Sequence, residues 1–156
     1  MNDLVWVILL SITPVAELRG AIPYGILATD LPLFLVVGAA LFFNALVGPL
    51  VYLIIRYVVG LFLHIERFKR LWDHIILRSQ HKVEPYVQKY GTLGMVVFIG
   101  VPLPGTGVYT GAIGAYALGF SLRQYIVASV IGVIIAGIAV TLITLFGEGI
   151  WLRLLV

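Results

Sequence analysis

Residues 102–107 read Pro102-Leu103-Pro104-Gly105-Thr106-Gly107 and interrupt the longest uncharged run of the chain, residues 90–122. Proline removes an amide donor and clashes with the preceding helical turn, and glycine loosens the backbone. The hexapeptide therefore cannot lie inside a helix. It separates two arms, residues 90–101 and 108–122, which have 12 and 15 residues. We expect two short helices joined by a break.

The composition indicates the solvent around these helices. Hydrophobic residues make up 62 % of the 156 residues and charged residues 11 %, whereas soluble domains have about 45–50 % and about 25 %. An ordinary soluble enzyme and a nucleic-acid-binding module are excluded, and the lipid bilayer is the expected partner of most of the chain. Two further uncharged runs, residues 31–55 and 124–147, are each long enough to span a bilayer.

The N-terminal region, residues 4–29, has the same broken character as residues 91–120. Its interruptions are Pro14, Gly20, Pro23 and Gly25. Because a spanning helix needs about 20 apolar residues, we predict that both regions are re-entrant hairpins, which turn near the midplane and leave on the side they entered. The alternative is four plain spans with both termini inside, which would carry Glu17 and Arg19 through hydrocarbon.

The chain also divides into two similar halves. Arg19-Gly20-Ala21-Ile22 aligns with Thr110-Gly111-Ala112-Ile113 at an offset of 91 residues. The predicted fold is an all-α integral membrane protein, an inverted repeat of re-entrant hairpin plus transmembrane helix. Its single domain, residues 1–156, comprises a first half (1–62, hairpin 4–29, span 31–62), an amphipathic connector (63–90) and a second half (91–156, hairpin 91–120, span 122–147).

The connector carries nine charged residues, of which six are Lys or Arg. The positive-inside rule places it in the cytoplasm, so we expect a multi-pass protein of the cytoplasmic (inner) membrane of a prokaryote. Helical spacing of its apolar residues predicts an amphipathic helix on the inner leaflet, or simply a tether. These residues are Ile65, Phe68, Leu71, Trp72, Ile75 and Ile76.

Glu17 and Arg19 are the strongest candidates for function, because ionisable residues at membrane depth are costly. The guanidinium of Arg19 suits phosphate or carboxylate, and each hairpin points a helix N-terminus, which attracts anions, at the midplane. A carboxyl removed from water is more easily protonated, so Glu17 could take up a proton as an anion enters. The alternative is structural pairing, of the two residues with each other or across the hairpins.

The hexapeptide is the facing element of the predicted site. Gly105 and Gly107 allow close backbone approach, and consecutive amides could form an anion-binding nest. The alternative is a turn that only lets helices pack. The further candidates for binding are Pro104, Thr106, Tyr109 and Thr110, and those for support are Pro14, Gly20, Pro23, Asn44 and Pro102. Asn44 either faces the cavity or bonds a hairpin carbonyl.

Glu17-Leu18-Arg19-Gly20-Ala21-Ile22-Pro23, followed by residues 102–107 and Thr110-Gly111-Ala112, resembles the small multidrug export protein family. That family is similar to the DedA (VTT, SNARE-associated) superfamily. The resemblance covers nearly the whole chain and implies two re-entrant hairpins from inverted halves. It also implies a transport role for Glu17 and Arg19, because acidic and arginine residues in the hairpins of DedA relatives are linked to transport. Bacterial DedA members are implicated in recycling undecaprenyl phosphate, and eukaryotic relatives in lipid scrambling.

Three functions are open on this evidence. The first is a transporter or flippase for an anionic amphiphile, either a polyprenyl phosphate or a phospholipid, with protons as a potential coupling ion. The second is a proton-coupled small multidrug exporter, and the third is a non-transport membrane scaffold. No enzyme signature, metal-ligand spacing or cofactor motif stands out in the sequence. A homodimer is expected, because two spans shield two polar turns poorly.

Overall fold

The structure is a computed structural model that describes residues 3–59, 66–103 and 105–154. The regular elements of these residues are all helical, as predicted. The helices are α1 (Asp3–Ser11), α2 (Glu17–Leu27), α3 (Leu33–Ile54), α4 (Glu66–Tyr90), α5 (Thr92–Gly100), α6 (Val108–Ala117) and α7 (Leu122–Leu154). A π-helical turn, Ile55–Val59, continues α3.

Two long apolar helices, α3 with its π-helical turn and α7, contain the segments that are long and apolar enough to cross a membrane, Leu33–Tyr57 and Leu122–Gly147. They pack against each other, and large apolar side chains such as Phe34 and Phe146 remain exposed on their outer faces. Such surface is unfavourable in water and is expected in lipid. Four uninterrupted spans are absent from the described residues, because the four short helices have only 9 to 11 residues each.

Each long helix follows a pair of short helices. The first pair, α1 and α2, is joined by residues 12–16, and the second, α5 and α6, by residues 101–107, of which 104 lies outside the described part. The break at the hexapeptide therefore occurs as predicted. Within each pair the two helices pack on each other.

One expectation about the first pair is wrong. Pro14 lies in the connection before α2, but Gly20, Pro23 and Gly25 lie inside α2 and do not interrupt it. Pro23 removes one amide from this helix, yet α2 continues because it is packed on three sides, by α1, α3 and α7. Gly25 allows α2 to approach α3 closely, since a Cβ there would overlap the side chain of Val36.

The second short helix of each half contacts both long helices: α2 packs on α3 and α7, and so does α6. Fully buried side chains fill this crossing, among them Ile22, Val36, Val108 and Tyr125. The crossing brings the start of α2 next to the start of α6, although they lie about 90 residues apart in the sequence.

The connector forms α4, which packs on α5 and α6. Ser79 and Val83 are buried there, and Gly114 of α6 allows the approach, since a Cβ on it would lie 2.5 Å from Val83 Cγ2. At least part of the apolar face of α4 thus packs on α5 and α6. The sequence interpretation had placed that face on the inner leaflet of the membrane. Ile65 lies outside the described residues.

Candidate functional site

Glu17 begins α2 in an unusual backbone conformation. Its φ is +46°, which lies in the left-handed region that residues other than glycine rarely adopt. Its side chain is only 7 % exposed. Strain of this kind persists where the surroundings hold a residue in place, and it is typical of functional sites.

The Glu17 carboxylate reaches the N-terminus of α6. The backbone amides of Val108 and Tyr109 donate towards it. A Cβ at Gly107, whose φ is +117°, would overlap Glu17 Oε2, so only glycine leaves room for the carboxylate. Because the first amides of a helix carry partial positive charge, Glu17 caps α6 from the other half of the chain.

Arg19, two residues further along α2, binds the connection between α5 and α6. Its Nη2 donates to the carbonyl of Thr106, 3.0 Å away, and to Thr106 Oγ1, 2.7 Å away. The Thr106 hydroxyl also lies 2.7 Å from the carbonyls of Val101 and Leu103, which fix its position. We call residues 105–107 the Gly-Thr-Gly loop.

These contacts occupy three amides at and beside the Gly-Thr-Gly loop. Thr106 N bonds the carbonyl of Leu103 at 3.2 Å, and the amides of Val108 and Tyr109 face Glu17. Glu17 and Arg19 make the cross-hairpin contacts that the structural alternative anticipated. The charge of Arg19 nevertheless stays beside the loop and half-buried.

Polar side chains from other helices bind two carbonyls at the first break. Tyr109 OH donates to the carbonyl of Ile12, and Asn44 Nδ2 donates to the carbonyl of Ser11 at 2.8 Å. Of the two alternatives for Asn44, the structure shows the bond to a carbonyl. These bonds satisfy backbone groups that the end of α1 leaves without helical partners.

The structure separates the other predicted residues from this cluster or leaves them undescribed. Pro14 is exposed in the first connection, Thr110 is half-buried within α6, and Pro102 is half-buried before the loop. Gly20 faces Ala16 of its own turn. Pro104 lies outside the described residues.

Lys82 was missed by the sequence interpretation. It belongs to α4, and its Nζ lies 3.4 Å from the carbonyl of Gly105. The sequence contained only a weak signal: Lys82 precedes Val83, which is buried against α6, so it lies beside the inward face of α4. Its position against the loop follows from the packing of α4 on the second pair.

The fold and its apolar exterior define an all-helical membrane protein with two candidate spanning helices. The described residues contain no group of three or more His, Cys, Asp or Glu that could hold a metal ion. The family model "Putative small multi-drug export protein" matches residues 17–139, so the chain belongs to that family. No curated protein and no solved structure matches the chain.

Proposed function

We propose that this protein is a transporter of an anionic amphiphile, either a polyprenyl phosphate or a phospholipid, and that Arg19 binds the anionic headgroup. The observation that carries the proposal is the position of Arg19, half-buried between apolar helices and bound to Thr106. Both bonds to Thr106 use Nη2, and a guanidinium has further donors on its other nitrogens. Phosphate is the group that such a planar fork fits best.

The proposed architecture has two inverted halves whose breaks meet near the midplane. One contact supports it: Glu17 faces the amide of Val108, which is the residue 91 positions further on, the same offset that aligns the two halves. Equivalent residues meet in this way when a two-fold axis passes between them. The cytoplasmic connector, the prokaryotic inner membrane and the similarity to DedA proteins remain predictions.

Glu17 gives the proposed site a way to respond to protons. Its carboxylate is held at the α6 N-terminus by charge–dipole attraction, which a proton on the carboxyl would remove. The released carboxyl no longer repels an incoming anion beside Arg19. Proton uptake and anion entry would then favour each other.

Movement of a labelled polyprenyl phosphate across the bilayer of liposomes tests the proposal. We expect wild-type protein to move it, Arg19→Ala to lose at least about tenfold in rate, and Arg19→Lys to retain part of the rate. Arg123→Ala is the matched control, because Arg123 is an exposed arginine at the start of α7. Wild-type protein that moves no more lipid than empty liposomes contradicts the proposal, and so does equal loss in both alanine variants.

The family description favours a second candidate, the export of drugs. A buried carboxylate such as Glu17 can exchange a proton for a cationic drug, although Arg19 nearby opposes cation binding. Uptake of a fluorescent cationic drug into the same liposomes separates the two candidates. Drug uptake lost in Glu17→Gln, with no movement of lipid phosphate, supports the exporter. Movement of either substrate by the purified protein excludes a purely scaffolding role.

We further propose that the protein works as a homodimer that covers the first connection. Val15 there is 93 % exposed, and irregular backbone is tolerated at membrane depth only where protein or water covers it. Because the sequence has no cysteine, Val15→Cys introduces one unique thiol. We expect it to form a crosslinked dimer in membranes, while Phe34→Cys, on the outer face of α3, does so less. A monomer alone in both variants opposes the dimer.

A further inference from the structure

We infer that Lys82 is the second cation of the headgroup site, so that one phosphate group binds between Lys82 and Arg19 at the Gly-Thr-Gly loop. This inference rests on the proposed function, because it names the residue that completes the same site. It assigns a binding role to a helix that the sequence suggested only as a tether or a membrane-surface element.

The two cations bind neighbouring peptide groups. Lys82 Nζ lies 3.4 Å from the carbonyl of Gly105, and Arg19 Nη2 lies 3.0 Å from the carbonyl of Thr106. Consecutive Cα atoms are about 3.8 Å apart, so an ammonium and a guanidinium are held along one short stretch of backbone. A phosphate has several acceptor oxygens and can bond both groups at once.

The third charged group at the loop, Glu17, blocks one alternative position for the anion. Glu17 already occupies the amides of Val108 and Tyr109, so a phosphate cannot use the α6 N-terminus while Glu17 is ionised. Lys82, Arg19 and Glu17 follow one another along residues 105–109, with the carboxylate at the far end. Their charges sum to one positive charge, so the cluster as a whole attracts an anionic phosphate.

Lys82 is accessible to a ligand and only weakly bound to the protein. The lysine is exposed, and its contact with Gly105 is long for a hydrogen bond, so the ammonium can exchange this carbonyl for a phosphate oxygen at little cost. The helix under it is fixed, because the neighbouring Val83 is fully buried against Gly114. Headgroups would therefore reach Lys82 from the side of α4 before they reach Arg19.

Equilibrium binding to the purified full-length protein in detergent tests this inference. The probes are a labelled short-chain prenyl phosphate, the matching uncharged prenyl alcohol and inorganic phosphate. We expect Lys82→Gln to weaken binding of the prenyl phosphate about tenfold, since a hydrogen bond to a charged group is worth that much. Binding of the alcohol should not change, and Lys82→Arg should bind nearly as well as wild type.

Lys89→Gln is the matched control, because Lys89 is an exposed lysine of α4 whose Nζ lies over the ring of Tyr90. If the affinity for inorganic phosphate depends on Lys82, the site recognises phosphate by itself. If only the affinity for the prenyl phosphate depends on Lys82, the site recognises the lipid. Both results support the two-cation site. Equal binding of the prenyl phosphate by wild type, Lys82→Gln and Lys89→Gln overturns it. That result would leave the proposed function standing, whereas wild-type protein that binds no phosphate probe at all would contradict both.

Discussion

The two pairs of short helices contribute different groups to the place where they meet. The first pair contributes side chains, since Glu17 and Arg19 both lie in the first turn of α2. The second pair contributes mainly backbone groups, namely the carbonyl of Thr106 and the first amides of α6, together with the Thr106 hydroxyl. At the 91-residue offset, the second half has Val108 and Thr110 where the first half has Glu17 and Arg19.

The pairs also differ in what covers them. The second pair is covered by α4, which also places Lys82 at its loop. The first pair packs on α3 and α7, and its connection exposes Val15. Similar elements have thus become specialised, and neither pair forms the charged site alone. Substitutions in either half should therefore break the same site, although through different physical causes.

The largest effect is expected at Gly107, where the second pair makes room for the first. Gly107→Ala combines an overlap between the new Cβ and Glu17 Oε2 with a φ of +117°. We expect a loss of about 3 kcal/mol or more in the free energy of unfolding, measured by titration with denaturing detergent. Gly119→Ala is the control, because Gly119 has a φ of +74° with open space around it. It should cost only about 1–2 kcal/mol of backbone strain.

The combination of Gly107→Ala with Glu17→Ala sharpens this test. Once the carboxylate is gone the overlap disappears, so the double variant should be less destabilised than the sum of the single losses. Strict additivity, or equal losses in Gly107→Ala and Gly119→Ala, would mean that the contact between the two halves does not set the cost.

Much of the architecture was predictable because its causes are local. The hexapeptide breaks the second pair through proline and glycine chemistry, and the length of the uncharged runs located the segments in α3 and α7. Glu17 and Arg19 stand out in the sequence because charge is rare in such an apolar chain. These features can be recognised in the sequence without knowing which helices contact each other.

The remaining features depend on contacts between distant segments. The helix α2 continues through Pro23 because three neighbouring helices pack on it. The bond from Arg19 to Thr106 joins residues 87 positions apart, and that of Lys82 to Gly105 follows from how α4 packs. No local pattern specifies such partners, so the sequence did not predict that Glu17 faces the first amides of α6.

A smaller effect is expected where α3 holds the first pair. Asn44→Leu removes a buried donor and leaves the carbonyl of Ser11 without this partner, at a cost of about 2 kcal/mol in the same unfolding assay. The residue at the equivalent position of the second half is Ile135, so this bond belongs to the first half alone. Thr141→Val is the control, because its hydroxyl bonds only within α7, to Gly137. Equal losses in the two variants would contradict a specific tie between α3 and the first pair.

A loss of about 1 kcal/mol is expected for Tyr109→Phe, which removes the bond from the second pair to the carbonyl of Ile12 in the first. The exposed Tyr90 at the end of α4 provides the control, and Tyr90→Phe should leave the free energy of unfolding unchanged. Because the bond joins the two pairs, Tyr109→Phe should also increase hydrogen exchange at the amides around Ile12. Unchanged exchange there would show that the hydroxyl does not secure the first connection.

On the long helices, the effect of one added methyl group is expected to change sign between the two halves. A Cβ at Gly38 of α3 meets nothing within 4 Å, whereas one at Gly132 of α7 would lie 2.7 Å from Ile99 Cβ. Gly38→Ala should therefore raise the free energy of unfolding by up to about 1 kcal/mol through helix propensity, and Gly132→Ala should lower it by about 1–3 kcal/mol through overpacking. Stabilisation of both variants would contradict the close contact between α5 and α7 at Gly132, and with it the tighter packing of the second half.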